Sequence, residues 1–172
     1  MSLKSLFARP FASFVYQKIK KGTKTAVADQ QAILSNLLKQ ATKTSFGKDH
    51  EFDKINSYND FKKNVPIRDY EQLKSYIDRI KKGEADILWK GKPIYFAKTS
   101  GTTSGIKYIP ITKESIPNHI NTARNALLCY MVVSGNYSFI NGKLIFLSGS
   151  PVLDETGGIP TGRLSGIVNH HV

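Results

Sequence analysis

The chain has 172 residues, of which 40% are hydrophobic and 22% charged, a composition typical of a globular domain with a real core. Its apolar runs fall short of the ~20 residues that a membrane span needs, so we expect no stable membrane insertion. The formal net charge of +12 favours nucleic-acid binding only weakly, because no zinc-finger spacing or aromatic RNA-binding motif accompanies it, and we expect no nucleic-acid partner. The single cysteine, Cys129, excludes an internal disulfide and is predicted to be a small buried hydrophobe on a helix.

The first residues form a basic arm, because residues 1–28 hold six lysines and arginines and no acid. Arg9 and Pro10 interrupt any apolar core, which argues against a secretory signal. An organelle transit peptide and a membrane-surface helix remain alternatives, but the spacing of the apolar residues favours an amphipathic helix packed on the body. Those apolar residues are Leu6, Phe7, Phe11, Phe14, Val15 and Ile19. We therefore divide the chain into an arm, residues 1–25, and a domain, residues 26–172.

Helical spacing of apolar residues predicts a helix over residues 26–43, and Gly47 is suited to a left-handed cap beyond it. Ser57 or Asn59 can cap a short helix that ends before Pro66. These elements make the front of the chain helical.

A further helix is predicted after Asp69, which is a good N-cap residue. Its apolar stripe repeats at helical spacing, and Gly83 closes it. The stripe consists of Tyr70, Leu73, Ile77 and Ile80.

The pattern changes after Gly91. Residues 93–97 predict a short strand, and residues 108–111 predict the second arm of a hairpin. Thr112 is then expected to cap a long helix reaching Val133. Residues 143–147 predict a buried strand, followed by a glycine-rich stretch over residues 149–166. Helices alternating with strands indicate an α/β fold.

The segment between the two hairpin arms carries the chemistry, with the sequence Lys-Thr-Ser-Gly-Thr-Thr-Ser-Gly-Ile-Lys over residues 98–107. Gly101 and Gly105 let the backbone turn sharply and approach a ligand closely. Lys107, with Lys98 as a second candidate, supplies positive charge for phosphate oxygens. Neutral hydroxyl donors come from Thr99, Ser100, Thr102, Thr103 and Ser104. The glycine spacing fits neither a Walker loop nor a dinucleotide fingerprint, and an ordinary surface turn remains the alternative.

Other polar residues give weaker signals. His119 and Arg124 lie on the predicted long helix, where a solvated histidine and a surface ion pair are the simplest interpretations. His170 and His171 lack further metal ligands nearby in the sequence, so we expect no metal site. No paired carboxylates or nucleophilic triad are evident, and the catalytic residues are left unassigned.

Strand, loop and lysine together resemble the phosphate loop of the adenylate-forming superfamily. The following Tyr-Ile-Pro-Ile-Thr, residues 108–112, narrows the resemblance to the auxin-responsive acyl-acid amido synthetase family, which the chain looks like from about residue 30 onward. Further matching segments are Phe46-Gly47, Phe61-Lys62, Val65-Pro66-Ile67, Tyr70-Glu71 and Gly83-Glu84-Ala85-Asp86-Ile87-Leu88.

This resemblance implies an α/β fold, the N-terminal part of an adenylate-forming, firefly-luciferase-like large domain, in which a helical front precedes strands and a phosphate-loop hairpin. Residues 26–172 would be an incomplete N-terminal adenylation domain, completed by the remainder of the synthetase downstream. The implied enzyme is cytoplasmic, uses ATP and Mg²⁺, adenylates a small-molecule carboxylic acid and conjugates it to an amino acid. This chain alone is then expected to be inactive.

The resemblance also implies site residues: Thr99, Ser100, Gly101, Thr102, Thr103, Ser104 and Gly105 would cradle the ATP phosphates, and Lys107 would neutralise them. Plant-type members usually place the lysine one residue later, where this chain has Tyr108, whereas Lys107 matches the spacing of acyl-CoA ligases. An acyl-CoA ligase-like enzyme and a nucleotide-binding module without turnover therefore remain alternatives.

Overall fold

The computed structural model describes residues 3–101, 105–143 and 145–171. Contacts group the chain into two compact units, one of residues 1–29 with 116–147 and the other of residues 30–115 with 148–172. None of the helices in the described ranges combines the length and the hydropathy that crossing a bilayer requires.

The first unit is helical. A long helix, α1 (Leu3–Ala41), begins in it, and a second helix, α5 (Ile116–Ser134), is followed by a 3₁₀ turn over Ser138–Asn141. The helix predicted over residues 26–43 is thus the second half of α1, which continues without a break from the basic arm. The division at residue 25 stays a prediction.

Small side chains, not large ones, form the buried face of the arm. Ala12 and Val15 on α1 are buried against Leu128 and Met131 of α5. Of the six residues predicted to form the apolar face, Val15 alone is buried, and Leu6, Phe7, Phe11, Phe14 and Ile19 are exposed. The predicted apolar face is therefore wrong for those five, because the stripe that allows close helix packing is the one bearing alanines.

Helix α5 starts later than predicted. Thr112 is not its N-cap but forms a turn before it, with the Ser115 N–H donating to Thr112 Oγ1 at 3.2 Å. On the helix, Leu128 and Met131 are buried, whereas Cys129 is only partly buried, so its predicted full burial is not observed.

Two helices of the second unit have N-caps that the sequence predicts. Ser57 Oγ accepts from the Asp60 N–H, so Ser57 and not Asn59 caps its helix. Asp69 forms a capping box with Gln72, in which each side chain accepts from the other's backbone N–H at 2.9 Å. The elements are α2 (Ser45–Asp49), a 3₁₀ turn (Phe52–Lys54), α3 (Tyr58–Asn64) and α4 (Tyr70–Lys81).

Gly47 does not form the predicted left-handed cap. It lies inside α2, where a Cβ at its position would come within 2.1 Å of the Ala41 carbonyl oxygen. The buried Thr44 fixes this approach, because its hydroxyl donates to Ala41 O at 2.7 Å and accepts from the Gly47 N–H at 2.9 Å. Glycine is needed here for close packing and not for a left-handed conformation.

The second unit contains a four-stranded sheet in the order β2-β1-β4-β3. Its strands are β1 (Tyr95–Lys98), β2 (Tyr108–Ile111), β3 (Asp154–Thr156) and β4 (Ile159–Gly162). β1 pairs antiparallel with β2, which confirms the predicted hairpin, and parallel with β4. β3 pairs antiparallel with β4.

The buried strand predicted over residues 143–147 is wrong. Leu144 lies outside the described residues, and the neighbouring Ile145, Phe146 and Leu147 are exposed and form no strand. The strand that pairs parallel with β1 is β4, whose Ile159 and Thr161 are buried. The glycine-rich stretch therefore supplies the strands that the apolar run does not.

The core of the second unit holds the hairpin against helix α4. Ile77 and Ile80 of α4 are buried together with Phe96 of β1 and Ile159 of β4, and Ile87 completes the cluster. A second cluster joins the end of α1 to the 3₁₀ turn, through Leu38, Ala41, Phe52 and Ile55. The strand that leads into the loop is thus fixed on a packed core.

Candidate functional site

The predicted phosphate loop connects β1 to β2 at the carboxyl end of β1. β4 runs parallel to β1, with Ala97 opposite Gly162, so both strands end at the same edge. Ligands of α/β sheets bind beyond this kind of edge. The topology therefore places the loop where a ligand site is expected.

A pair of hydrogen bonds closes the base of the loop. The Thr99 N–H donates to the Lys107 carbonyl oxygen at 3.1 Å, and the Lys107 N–H donates to Thr99 Oγ1 at 3.3 Å. Ser100 is exposed next to this clamp. The ends of the loop are thus held together while Ser100 lies in solvent.

The two loop glycines are required by the backbone. Gly101 has a φ of +47° and Gly105 a φ of +79°, values that side-chain-bearing residues rarely adopt. A Cβ on Gly101 would come within 2.8 Å of the Gly105 carbonyl group, so the two backbones approach closely. The predicted site residues Thr102, Thr103 and Ser104 lie outside the described residues.

The two candidate lysines differ in their partners. Lys98 forms an ion pair with Asp154 of β3, and only 26% of its side chain is exposed. The Lys107 ammonium group lies over the ring of Tyr70, 5.6 Å from its centroid. Because a carboxylate already offsets the charge of Lys98, Lys107 is the better cation for an anionic ligand.

Tyr108 occupies the position at which the family resemblance leads us to expect a lysine. Its ring packs edge-on against Phe96, with centroids 5.8 Å apart, and the Lys81 ammonium group lies 4.3 Å from its centroid. The ring thus packs on the core cluster of α4 and β1. Tyr108 therefore contributes to packing, and Lys107 is the neighbouring residue that carries a positive charge.

We assign no binding or catalytic role to His119 and Arg124, the two residues of α5 that the sequence singled out. His119 is exposed. Arg124 is exposed, and its Nη2 donates to the Asn125 side chain at 3.4 Å, a neutral partner.

The two histidines near the end of the chain make ordinary structural contacts. The His170 Nε2–H donates to the Pro151 carbonyl oxygen at 2.7 Å, and His171 lies edge-on to Tyr95. No group of three or more potential metal-ligating side chains comes together within the described ranges.

A groove of about 670 Å³ lies in the second unit between the end of α1 and residues 52–58. Leu34, Leu38 and Phe52 are among its apolar lining residues, with Lys39 among its polar ones. None of its lining residues belongs to the loop, so this groove is not the predicted phosphate site.

Comparison with known proteins agrees with the sequence resemblance. The GH3 family N-terminal domain model matches residues 15–171. The chain is 36% identical over 109 residues to the indole-3-acetic acid-amido synthetase GH3.15 of Arabidopsis thaliana, which covers 62% of this chain and 18% of that protein. It is 26% identical over 151 residues to the jasmonoyl–L-amino acid synthetase JAR4 of Nicotiana attenuata, covering 86% of this chain and 26% of that protein.

A solved structure shares the fold. The AtGH3.15 acyl acid amido synthetase in complex with 2,4-DB superposes with a TM-score of 0.77 at 24% identity, over 88% of this chain and 27% of that one. This likeness confirms the predicted fold, and the family model assigns it to an N-terminal domain. The chain therefore spans only about a quarter or less of the length of the relatives that it matches.

Proposed function

The chain belongs to the GH3 family, and from that premise we propose that it forms the ATP-phosphate-binding front of an acyl-acid amido synthetase. The whole enzyme would join a small-molecule carboxylic acid to an amino acid at the expense of ATP. One observation carries the proposal. At the edge where the parallel strands β1 and β4 end, Gly101 and Gly105 both have positive φ and approach each other closely. Lys107 follows them, and it has no carboxylate partner among the described residues.

The described part of the loop fits a triphosphate. Gly101 and Gly105 approach each other so closely that a Cβ on Gly101 would clash with the Gly105 backbone, so the glycines draw the loop into a tight turn. Phosphate oxygens require many N–H and O–H donors and a compensating positive charge. Thr99 and Ser100 supply hydroxyls near the base, and Lys107 supplies the charge. We assign the same donor role to Thr102, Thr103 and Ser104.

Mg²⁺ fits the site as a companion of the triphosphate. Magnesium in ATP sites keeps several waters and is bound largely through phosphate oxygens, so it does not require a cage of carboxylates. When bound, the ion supplies additional neutralisation of the phosphate charge.

The residues of this chain bind and orient ATP, and the reacting groups come from the substrates. In the proposed first step, a carboxylate oxygen of the acid bonds to the α-phosphorus and pyrophosphate leaves, giving an acyl-adenylate. The neutral amine of the amino acid then attacks the acyl carbon, AMP leaves and the amine loses a proton. Loop donors and Lys107 hold the departing pyrophosphate and stabilise its negative charge. A cytoplasmic location stays a prediction.

The first experiment measures ATP–pyrophosphate exchange by the longest product of the gene, across a panel of carboxylic acids. We expect exchange that depends on one class of acid. A folded product that catalyses no exchange with any acid would leave the loop as a phosphate cradle or a surface turn. Transfer to coenzyme A instead of an amino acid would favour the acyl-CoA ligase alternative.

A matched pair of lysine variants tests the loop itself. Lys107→Ala is expected to weaken MgATP binding at least about tenfold, in line with the loss of a charge-assisted contact, without a large change in stability. Lys113→Ala removes the same charge from an exposed residue just beyond the other end of β2 and should bind MgATP like the parent. Isothermal titration calorimetry measures both. Equal affinities for the two variants would place the phosphate site elsewhere.

A further inference from the structure

One side chain outside the loop contacts both residues at which the loop rejoins the sheet. Tyr70, the first residue of α4, accepts a hydrogen bond at its hydroxyl from the Tyr108 N–H at 2.9 Å. Its ring also faces the Lys107 ammonium group, 5.6 Å from the ring centroid. These contacts join residues far apart in the sequence but within the same compact unit.

The hydrogen bond from the Tyr108 N–H to the Tyr70 hydroxyl gives a partner to a backbone group on the open edge of β2. β2 is the edge strand next to β1, and Lys107 rather than Tyr108 exchanges hydrogen bonds with Thr99 across the hairpin. In an antiparallel pair the next residue along the strand points its N–H away from the partner. The Tyr70 hydroxyl supplies the acceptor that this outward N–H requires.

The position of Tyr70 is itself fixed. The Asp69 capping box anchors the first turn of α4, and Ile77 and Ile80 bury the same helix against Phe96 of β1. Tyr70 packs partly buried against this cluster. The start of α4 is thus a rigid reference point for both strands of the hairpin.

A lysine side chain is flexible, and holding its ammonium group near a site lowers the entropy lost when a ligand binds. The negative face of an aromatic ring attracts the ammonium group and restricts it without neutralising its charge. A carboxylate in the same place would compete with phosphate, as Asp154, which forms an ion pair with Lys98, would do there. A tyrosine ring is therefore a suitable support for a phosphate-binding lysine.

We propose that Tyr70 is a positioning residue of the phosphate loop. Its hydroxyl fixes the backbone at Tyr108, and its ring holds the Lys107 ammonium group ready for the triphosphate. This inference rests on the proposed function, because it assigns Tyr70 a role only through the phosphate contact of Lys107.

The test compares Tyr70→Phe and Tyr70→Leu in the longest product of the gene, with MgATP as the probe in calorimetric titrations. Tyr70→Phe removes the acceptor and keeps the ring, whereas Tyr70→Leu removes both. We expect MgATP affinity to fall about three- to tenfold for Tyr70→Phe and further for Tyr70→Leu. Tyr76→Phe is the matched control, because Tyr76 lies on the same helix and donates its hydroxyl hydrogen to Asp49, which is not part of the hairpin.

A double-mutant cycle separates positioning from general destabilisation. In a Lys107→Ala background, Tyr70→Leu should cause a smaller further loss of MgATP affinity than it causes in the parent. The inference is overturned if Tyr70→Leu causes the same loss of MgATP affinity in both backgrounds, or if both Tyr70 variants bind MgATP like the parent. In either case the proposed function still stands, provided that Lys107→Ala weakens MgATP binding. If Lys107→Ala itself binds MgATP like the parent, the proposed function fails first and the inference fails with it.

Discussion

Replacing Gly47 by alanine should destabilise the second unit. The added Cβ would lie 2.1 Å from the Ala41 carbonyl oxygen, although real Cβ atoms essentially never come within 3.0 Å of a heavy atom elsewhere in the chain. The clash involves backbone on both sides, so no flexible side chain can move aside. Moving Gly47 away would also strain the two hydrogen bonds of the buried Thr44.

The magnitude follows from two opposing effects. Overpacking of this kind costs about 1–3 kcal/mol. Alanine has a higher helix propensity than glycine, which offsets up to about 1 kcal/mol of that cost. Because the overlap is severe, the upper end of that range applies, and the net loss in free energy of unfolding is about 2 kcal/mol, equivalent to a fall in Tm of about 4–8 °C for a chain of this length.

Urea unfolding followed by tryptophan fluorescence measures this change at the right place. Trp89 is the single tryptophan of the chain and packs against the cluster that contains Ala41. We expect Gly47→Ala to lower the midpoint of its fluorescence transition.

Gly22→Ala is the matched control for that measurement. Gly22 also lies in a helix, α1, but apart from its chain neighbours and the adjoining turns of the helix backbone no atom lies within 4 Å of its added Cβ. Circular dichroism should therefore show unchanged or higher stability for Gly22→Ala, by up to about 1 kcal/mol. The steric argument is refuted if Gly47→Ala has a midpoint equal to or above that of the parent.

Two further predictions concern pH and turnover. The Ser57 hydroxyl, followed by the Asn56 N–H, donates to Asp60 and holds the pKa of that carboxyl below its usual range. A lowered folded-state pKa gives stability that is present above the unfolded pKa of about 4 and is lost as the pH falls through the folded value. Asp60→Ala should therefore lower the urea midpoint near neutral pH, with a difference from the parent that shrinks towards about pH 3, and a pH-independent difference would contradict this reasoning. The purified 172-residue chain, for its part, should release no AMP from ATP with any acid and amino acid, and AMP release above background would show that the chain suffices for turnover.

Local signals of the second unit could be predicted from the sequence. Ser57 and Asp69 cap their helices because capping depends on residues only three positions apart. The hairpin of β1 and β2 is likewise local, since a short loop joins two extended runs. Gly47 shows the limit of such reasoning. The sequence near a helix end does not distinguish a glycine that adopts a left-handed conformation from one that lets another backbone segment pack closely.

Contacts between distant residues could not be predicted. β4 is short and follows two glycines, and its pairing with β1 depends on residues far away in the chain. An apolar run such as residues 145–147 predicts a buried strand equally well whether or not a partner strand is present, and here the three side chains are exposed. At the candidate site, the types of the loop residues were evident, but the contact of Tyr70 with Tyr108 joins residues 38 positions apart.

The pairing of β1 with both β2 and β4 has a consequence for the order in which the protein assembles during synthesis. β2 follows β1 closely and can pair with it at once, whereas β4 emerges from the ribosome only after all of α5 has been made. Pairing of distant parallel strands is slow, and an unpaired strand edge is prone to aggregation. During that interval Phe96 and Ala97 present an open edge, so a pause in translation before residue 159 would lengthen the exposure of the strand that leads into the loop.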